Sequence, residues 1–336
     1  MPTIRFEQWP GAIEVRRGTI LDAALAAGIP YPHGCRSGDC GSCKSRLIAG
    51  DVARDPCAPE ALSREEECRG LFLACRARPT SDVQVAWVAQ AACNDFAIKT
   101  LTAEVFGLES ATHDIKRVRL RAIGAKLEFY PGQYVELRCN GCPPRPYSMA
   151  NRPDEDELEL HVRRVPGGKV SGYVAERLRL GERVSVKGPF GSAHLRPGHD
   201  GPLLLLAGGS GLAPIKSILR TALARGHGHA LHLYHGVRDA RDLYDVEELA
   251  QLAASGLVSF QRVLSNRESQ GAYRRGFVHE AVAADFASLS GFDAYVAGPP
   301  PMVDAVRKMV FELGVTPEHV YADAFHASPS DERRES

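Results

Sequence analysis

The sequence predicts a multidomain protein of mixed α+β and α/β class. A small mixed domain covers residues 1–90, an antiparallel β-barrel 98–199, a parallel-sheet α/β domain 200–327, and a flexible tail 328–336. Three observations lead there. The chain has 336 residues, long for one hydrophobic core and suited to two or three. Its middle third alternates apolar and polar residues in short runs divided by turn signals, as half-buried antiparallel strands do. Its last third alternates continuous apolar runs with helical stretches, as a parallel sheet covered on both faces does.

In the first segment, Thr3 to Glu7 alternates as a strand. Thr19 is placed to cap a helix that stops at Gly28, with Ile20, Leu21, Ala24 and Leu25 on one face. A cysteine-bearing loop follows, then strands around Ser45 to Ile48 and in "SDVQVAWV"; residues 88–98 read as a connector. In the barrel segment, "VRLRA" puts Val118 and Leu120 on one face. "ELELHVRRV" does so with Leu158, Leu160 and Val162, and "ERVSVKG" with Val184 and Val186. In the last segment the strands are "PLLLLAGG", "ALHLYHG", "VSFQRVL" and "DAYVAGP". The helices run over Pro214 to Ala224, Asp245 to Ala254 and Met302 to Leu313.

Charge is balanced, 41 basic against 41 acidic residues. Nothing in it calls for nucleic acid or a membrane surface. The longest aliphatic run, Leu203 to Ala207, is far short of a membrane span. "MPTIRFEQWP" lacks the apolar centre of a signal peptide. A cytoplasmic location is therefore expected, where nine cysteines stay reduced and metal binding outranks disulfides.

Cys35, Cys40 and Cys43 have the C-x4-C-x2-C spacing of a plant-type [2Fe–2S] loop. Anionic sulfurs need backbone N–H groups turned towards them, hence the small residues Gly34, Ser37, Gly38, Gly41 and Ser42. Cys57, Cys68 and Cys75 compete for the fourth place. Cys75 is chosen because "LFLACRA" makes an apolar wall, whereas Cys68 lies in the charged "REEECRG". Zinc would accept the same four thiolates, but zinc ribbons favour two C-x2-C knuckles, and this segment has one. Cys139 and Cys142 form a second C-x2-C in a turn and are read as structural.

Farther along, "RPYSMANRP" sets Arg145 and Tyr147 on one side of a strand, with Pro146 between them and Ser148 after. An arginine for a pyrophosphate, an aromatic for an isoalloxazine and a hydroxyl for its N5 edge suit a flavin. "PGGKVSGYVAERL" then offers Gly167, Gly168, Lys169, Val170 and Ser171 at a helix N-terminus, a phosphate site. "LLLLAGGSGLAP" is a strand, a glycine turn and a helix, not the G-x-G-x-x-G fingerprint. Gly209, Ser210 and Gly211 let a nicotinamide approach, and Pro214 suits a first helical turn. Arg238, Asp242 and Tyr244 follow the next strand, near an adenosine half. Gly298 ends the last one, and Phe325 is placed to cover a flavin.

Together these residues resemble the ferredoxin–NAD(P)H reductase superfamily fused to an N-terminal plant-type ferredoxin, over nearly the whole chain. The resemblance is closest to reductase components of aromatic ring-hydroxylating dioxygenases of the naphthalene-dioxygenase type. "THDIKRVRLR", "FYPGQYVEL", "RPYSMA", "LHVRRVPGGKV", "GVRDARDLYD" and "LGVTPEHVYADAF" carry it. It implies a β-grasp [2Fe–2S] domain, FAD on the barrel and NAD(P)H on the α/β domain. It assigns Arg145, Pro146, Tyr147, Ser148, His161, Val162 and Phe325 to the flavin, and Gly168, Lys169, Val170 and Ser171 to its pyrophosphate. It assigns Gly209, Ser210, Gly211, Pro214, Arg238, Asp242, Tyr244 and Gly298 to the dinucleotide. Ala297 stands where much of the superfamily has cysteine, and Phe325 where others have tyrosine.

The expected function is electron transfer from NAD(P)H through FAD and the cluster to a ferredoxin or terminal oxygenase. Alternatives are a reductase for a deoxysugar dehydratase or a monooxygenase, or a redox sensor without turnover. Arg238 and Arg241 would suit the 2′-phosphate of NADPH, and Asp239 and Asp242 the free ribose hydroxyl of NADH; NADH is the expected donor, with NADPH the alternative. The chain is expected to be a monomer that meets its acceptor around Arg36, Ser37 and Asp39.

Overall fold

The computed structural model describes residues 1–15, 17–33, 36, 38, 41–57, 61–88, 96–254, 256–266, 271 and 273–326. Two compact units emerge. The first is Met1–Lys99 with Pro189–Ser192; the second is Thr100–Gly188 with the chain from Ala193 onward.

The first unit contains β1 (Thr3–Phe6), β2 (Trp9–Glu14), α1 (Ile20–Ala26), β3 (Lys44–Ala49), β4 (Val52–Arg54), α2 (Arg64–Cys68), β5 (Leu71–Leu73), β6 (Ala77–Pro79) and β7 (Val83–Trp87). Five of its strands form one sheet in the order β2-β1-β7-β3-β5. β1 and β7 run parallel; β1 with β2, β3 with β5 and β3 with β7 run antiparallel. Thr19 caps α1 as its sequence suggests: its hydroxyl accepts from the Asp22 N–H, and the Asp22 carboxylate accepts from the Thr19 N–H. This reciprocal box satisfies two otherwise orphaned groups. Ile20, Leu21, Ala24 and Leu25 face inward. The core closes on edge-to-face contacts of Tyr31 with Phe6 and Trp87. The charged stretch around Cys68 is a short helix, α2, with no buried residue.

The second unit holds two sheets. One comprises β8 (Lys99–Ser110), β9 (Ile115–Ala122), β10 (Tyr134–Arg138), β11 (Arg145–Ser148), β12 (Glu157–Arg163) and β13 (Arg183–Phe190). α3 (Lys169–Glu176) lies between β12 and β13 in sequence. Their order is β11-β10-β13-β8-β9-β12. The two end strands approach each other at a single bridge, Met149 to Leu160, which nearly closes the antiparallel barrel. Val118, Leu120, Leu158, Leu160, Val162, Val184 and Val186, the residues picked out by alternation, all lie in its core.

The other sheet contains β14 (Leu203–Gly208), β15 (Leu231–Val237), β16 (Val258–Leu264), β17 (Arg274–Arg275), β18 (Asp293–Gly298) and β19 (Val320–Ala324). It is covered by α4 (Leu212–Ala224), α5 (Val246–Ala253), α6 (Val278–Asp285) and α7 (Pro300–Glu312). The order is β17-β16-β15-β14-β18-β19, with all neighbours parallel. β14 and β18 are buried at every position, which explains their unbroken apolar runs. The strand order reverses between β14 and β18, and ligands of such sheets bind in the crevice at the carboxyl ends there.

Candidate functional site

Three sites are built from these elements. In the first unit, β3 and β5 pair Lys44 with Leu73. That register sets the residue before β3 beside those after β5. The Ala74 N–H donates to the Cys43 carbonyl at 3.1 Å, and the Cys75 N–H lies 3.5 Å from Cys43 Sγ. Both cysteines are buried, whereas Cys68 is exposed. Below them Ser45 Oγ donates to the Cys43 carbonyl at 3.0 Å and meets the Tyr31 hydroxyl at 2.5 Å, which fixes this backbone. Two buried thiols side by side, one facing an amide N–H, have the donor chemistry a [2Fe–2S] cluster requires. Cys35 and Cys40, with Gly34, Ser37 and Asp39, lie outside the described residues.

On the barrel, β11 carries Arg145 and Tyr147, both half-buried, with Pro146 exposed between them. Ser148 is buried, and its hydroxyl donates to Asp323 Oδ2 at 3.2 Å. This contact joins the end of β11 to the end of β19. Gly168 precedes α3, which no side chain caps, so its first N–H groups are arranged for an anion. Ser171 Oγ accepts from the Val165 N–H at 3.1 Å and so tightens the turn from within. A Cβ on Gly168 would meet that oxygen at 2.5 Å. Val162 and Val170 are core residues, and the His161 side chain is fully buried. His161 Nδ1 meets the Tyr244 hydroxyl at 3.0 Å and Nε2 meets Glu159 at 2.9 Å. His161, Val162 and Val170 therefore offer a ligand only their backbone.

At the switch point, β14 ends at Gly208 and a single 3-10 turn, Gly209–Gly211, leads into α4. Backbones touch here. A Cβ on Gly211 would lie 2.1 Å from the Ala297 carbonyl oxygen, and one on Gly298 would lie 3.0 Å from Gly208 Cα. The adjoining cavity measures about 450 Å³. Gly209, Arg238 and Asp242 line it, as their sequence positions suggest. Ser210, Gly211, Pro214, Tyr244 and Gly298 are not in its lining. Gly211 and Pro214 are buried at the start of α4. Tyr244 is a core residue whose hydroxyl goes to His161, so the structure gives it a packing task. Burial and then Asp245 push its phenol well above the usual range. Phe325 is half-buried, held by its N–H to the Gly298 carbonyl at 2.9 Å.

The cavity also contains residues that sequence reasoning missed. Arg163 lines it, paired with Asp114 at 2.8 Å. Phe277, 55% exposed, stacks on His279 at 5.8 Å and 13°. An aromatic just past a glycine at the carboxyl end of a strand is the signal that was available, but β17 is only two residues long.

Below the turn, His235 Nε2 meets the Gly209 carbonyl at 3.1 Å. Burial pushes this imidazole down to about 4, so it is neutral at pH 7. Lys216 of α4 reaches Asp245 at 2.7 Å, Glu248 at 2.8 Å and Glu159 at 3.5 Å. Arg117 of β9 also pairs with Asp245. Burial raises the Glu159 carboxyl, but His161, Lys216 and Arg117 outweigh it and hold the group well below the usual carboxylate range.

Comparison with known proteins assigns the same three parts. Residues 11–80 match the 2Fe-2S iron-sulfur cluster binding domain, 103–195 the oxidoreductase FAD-binding domain and 205–308 the oxidoreductase NAD-binding domain. The architecture and site thus define an iron–sulfur flavoprotein oxidoreductase that uses NAD(P)H. The chain is 38% identical to the ferredoxin–NAD(P)+ reductase component of the naphthalene 1,2-dioxygenase system of Pseudomonas putida, over 91% of this chain and 93% of that one. It is 41% identical to the reductase subunit of an aromatic O-demethylase from Amycolatopsis, over 91% and 93%. A crystal structure of an Amycolatopsis cytochrome P450 reductase superposes with a TM-score of 0.81 at 39% identity, over 97% of this chain and 99% of that one. The chain belongs to the ferredoxin–NAD(P)+ reductase family of multicomponent oxygenase systems.

Proposed function

We propose that this protein passes electrons from NADH to a ferredoxin or the terminal oxygenase of an aromatic ring-hydroxylating dioxygenase. Flavin chemistry converts a two-electron hydride donor into single electrons that an iron–sulfur cluster accepts. The chain's own residues bind and orient. Cys43 and Cys75, with Cys35 and Cys40, hold the cluster. Arg145 and the α3 N-terminus hold the flavin pyrophosphate, and Tyr147 and Phe325 flank the ring. Ser148 positions a hydroxyl at its edge, backed by Asp323. The backbone of Gly209–Gly211 and Gly298 admits the nicotinamide, while Arg238 and Asp242 take the adenosine half. No side chain is needed as a general acid or base.

The observation that carries this reading is the meeting of β11 and β19 at Ser148 and Asp323, with Asp323 in register with Ala297 at the carboxyl end of β18. It joins the barrel segment to the dinucleotide crevice. Stopped-flow spectroscopy tests it: NADH should bleach the flavin first and the cluster second. A flavin that bleaches while the cluster stays oxidised would sink the relay. Asp242 in the cavity, with its carboxylate also accepting from the Asp239 N–H at 2.8 Å, supports NADH over NADPH. Coupling ratios with both nucleotides check that choice.

A second reading rests on the 41% identity to the O-demethylase reductase subunit: the acceptor is then a monooxygenase that takes electrons directly from the cluster. Turnover with a purified dioxygenase ferredoxin, set against a cytochrome P450, separates the two. The reading extends to a monomer in the cytoplasm, where cysteines stay reduced. Sedimentation and cell fractionation check both.

A further inference from the structure

Among the described residues, two groups of histidines and carboxylates bring their ligand atoms within 4.8 Å of one another: Glu159, His161 and Asp245, and His199, Asp293 and His319. The first is already neutralised by Lys216 and Arg117. In the second, no lysine or arginine among the described residues pairs with Asp293. Its ion-pair partners there are His199 and His319. We propose that His199, Asp293 and His319 form a binding site for a first-row divalent transition cation such as Zn2+.

The donor set is two imidazoles and a carboxylate, which suits zinc with one place left for water. Asp293 opens β18 and is 1% exposed. A carboxylate so buried needs a compensating charge. Among the described residues its Oδ2 receives only the Tyr295 hydroxyl, at 3.3 Å. Its Oδ1 lies 3.4 Å from His199 Nδ1 and 2.5 Å from His319 Nδ1. Two donors each about 2.0–2.1 Å from a tetrahedral ion stand about 3.4 Å apart. His199 and Asp293 already have that separation. His319 would withdraw by roughly 1 Å, and its side chain, 46% exposed in the one-turn segment Pro317–His319, is placed to do so.

His199 is the most constrained of the three. Its Nε2 is buried and has no hydrogen-bond partner among the described residues. The ring packs on Gly201, where a Cβ would meet Nε2 at 2.9 Å. The edge turned to Asp293 is thus the one on which its polar chemistry rests. The opening on the His319 side gives an ion its way in. The site sits at the amino ends of β18 and β19 and just before β14, the pole opposite the nicotinamide crevice. A cation there ties the segment entering β14 to the far edge of the sheet. Its effect is on stability, not on electron flow.

The test uses the full chain carrying FAD and cluster, stripped of loosely bound metal and titrated with Zn2+ by calorimetry. Cluster absorbance is followed in parallel, so that zinc taken by the cluster cysteines is recognised. We expect one Zn2+ per chain with the cluster spectrum intact, and a zinc-dependent rise in the thermal midpoint. His319→Gln and His199→Gln should each weaken binding about a hundredfold or more, since loss of a supporting group alone costs 10–100-fold. NADH reduction of the flavin should be unchanged in both. His319 is half-exposed, so that variant should fold and decides the matter if the other does not. No zinc uptake, unchanged affinity in His319→Gln, or uptake only with bleaching of the cluster overturns the site.

Discussion

In the loop that precedes Cys43, glycine supplies a backbone direction; in the turn after β14, it supplies the absence of a side chain. Gly41 has φ +73, a left-handed conformation that L side chains adopt only at a cost. Gly211 has φ −59 and ψ −11, values any residue tolerates. Yet a Cβ there would overlap the Ala297 carbonyl. The two motifs look alike in sequence and fail differently when changed. A loop that wraps an inorganic cluster must aim its N–H groups. A turn that receives a planar ligand must bring two strand ends together.

The largest effect expected concerns what the first loop exists to hold. Cys75→Ala should abolish the cluster's visible and EPR signals while NADH still reduces the flavin, and Cys68→Ala should leave both intact. Loss of the cluster in Cys68→Ala would reverse the choice of ligand.

Gly211→Ala should come next, with a cost of about 3 kcal/mol or more from forcing two backbones apart. NADH-dependent flavin reduction should fall about a hundredfold from the misplaced turn. Thermal melts and single-turnover rates read the two effects. A soluble, fast Gly211→Ala protein would break the close-approach half of the comparison.

The third effect is a pH dependence beneath the same turn. His235 takes up its proton at about 4 in the folded chain, against 6.5 when unperturbed, because burial outweighs the Gly209 carbonyl. Between those values the unfolded state binds the extra proton. Stability from this group is therefore complete above about pH 6.5 and is lost as pH falls towards 4, on the order of 3 kcal/mol in all. Urea midpoints at pH 7 and pH 5 should converge in His235→Gln relative to the parent.

Smaller still is Gly41→Ala, at about 2 kcal/mol, from its left-handed φ and a Cβ 3.0 Å from the Ala61 carbonyl. Faster loss of the cluster on warming is the readout. Gly209→Ala should be the mildest. Its φ is +54, but the nearest atom to a Cβ is Arg163 Nη1 at 3.6 Å, so only the dihedral penalty of about 1 kcal/mol remains. If Gly209→Ala proves worse than Gly211→Ala, dihedral and not approach governs the turn.

Much of this was legible because it is local. Alternation marked the barrel core, unbroken apolar runs marked β14 and β18, and the capping residues of α1 stood in plain order. The contrast between a buried Cys75 and an exposed Cys68 was also legible, since an apolar run and a charged run fold to opposite exposures. The partnership of His161 with Tyr244 was not. It spans 83 positions and depends on how a barrel strand meets the parallel sheet. Each residue alone reads equally well as a ligand contact. Phe277 escaped notice because β17 is too short to leave a periodic trace.

The helix leaving the Gly211 turn has one more consequence. Within about one turn of α4, Lys216 reaches Glu159 of β12 at 3.5 Å, Ser217 donates to the Asn151 carbonyl at 2.6 Å, and Arg220 meets Glu155 at 2.6 Å. Asn151 and Glu155 belong to the connection between β11 and β12, on the barrel side. The helix therefore works as a ruler between two sheets, and sliding one past the other would break three polar contacts at once. In amide exchange, α4 should open only with the whole reductase unit.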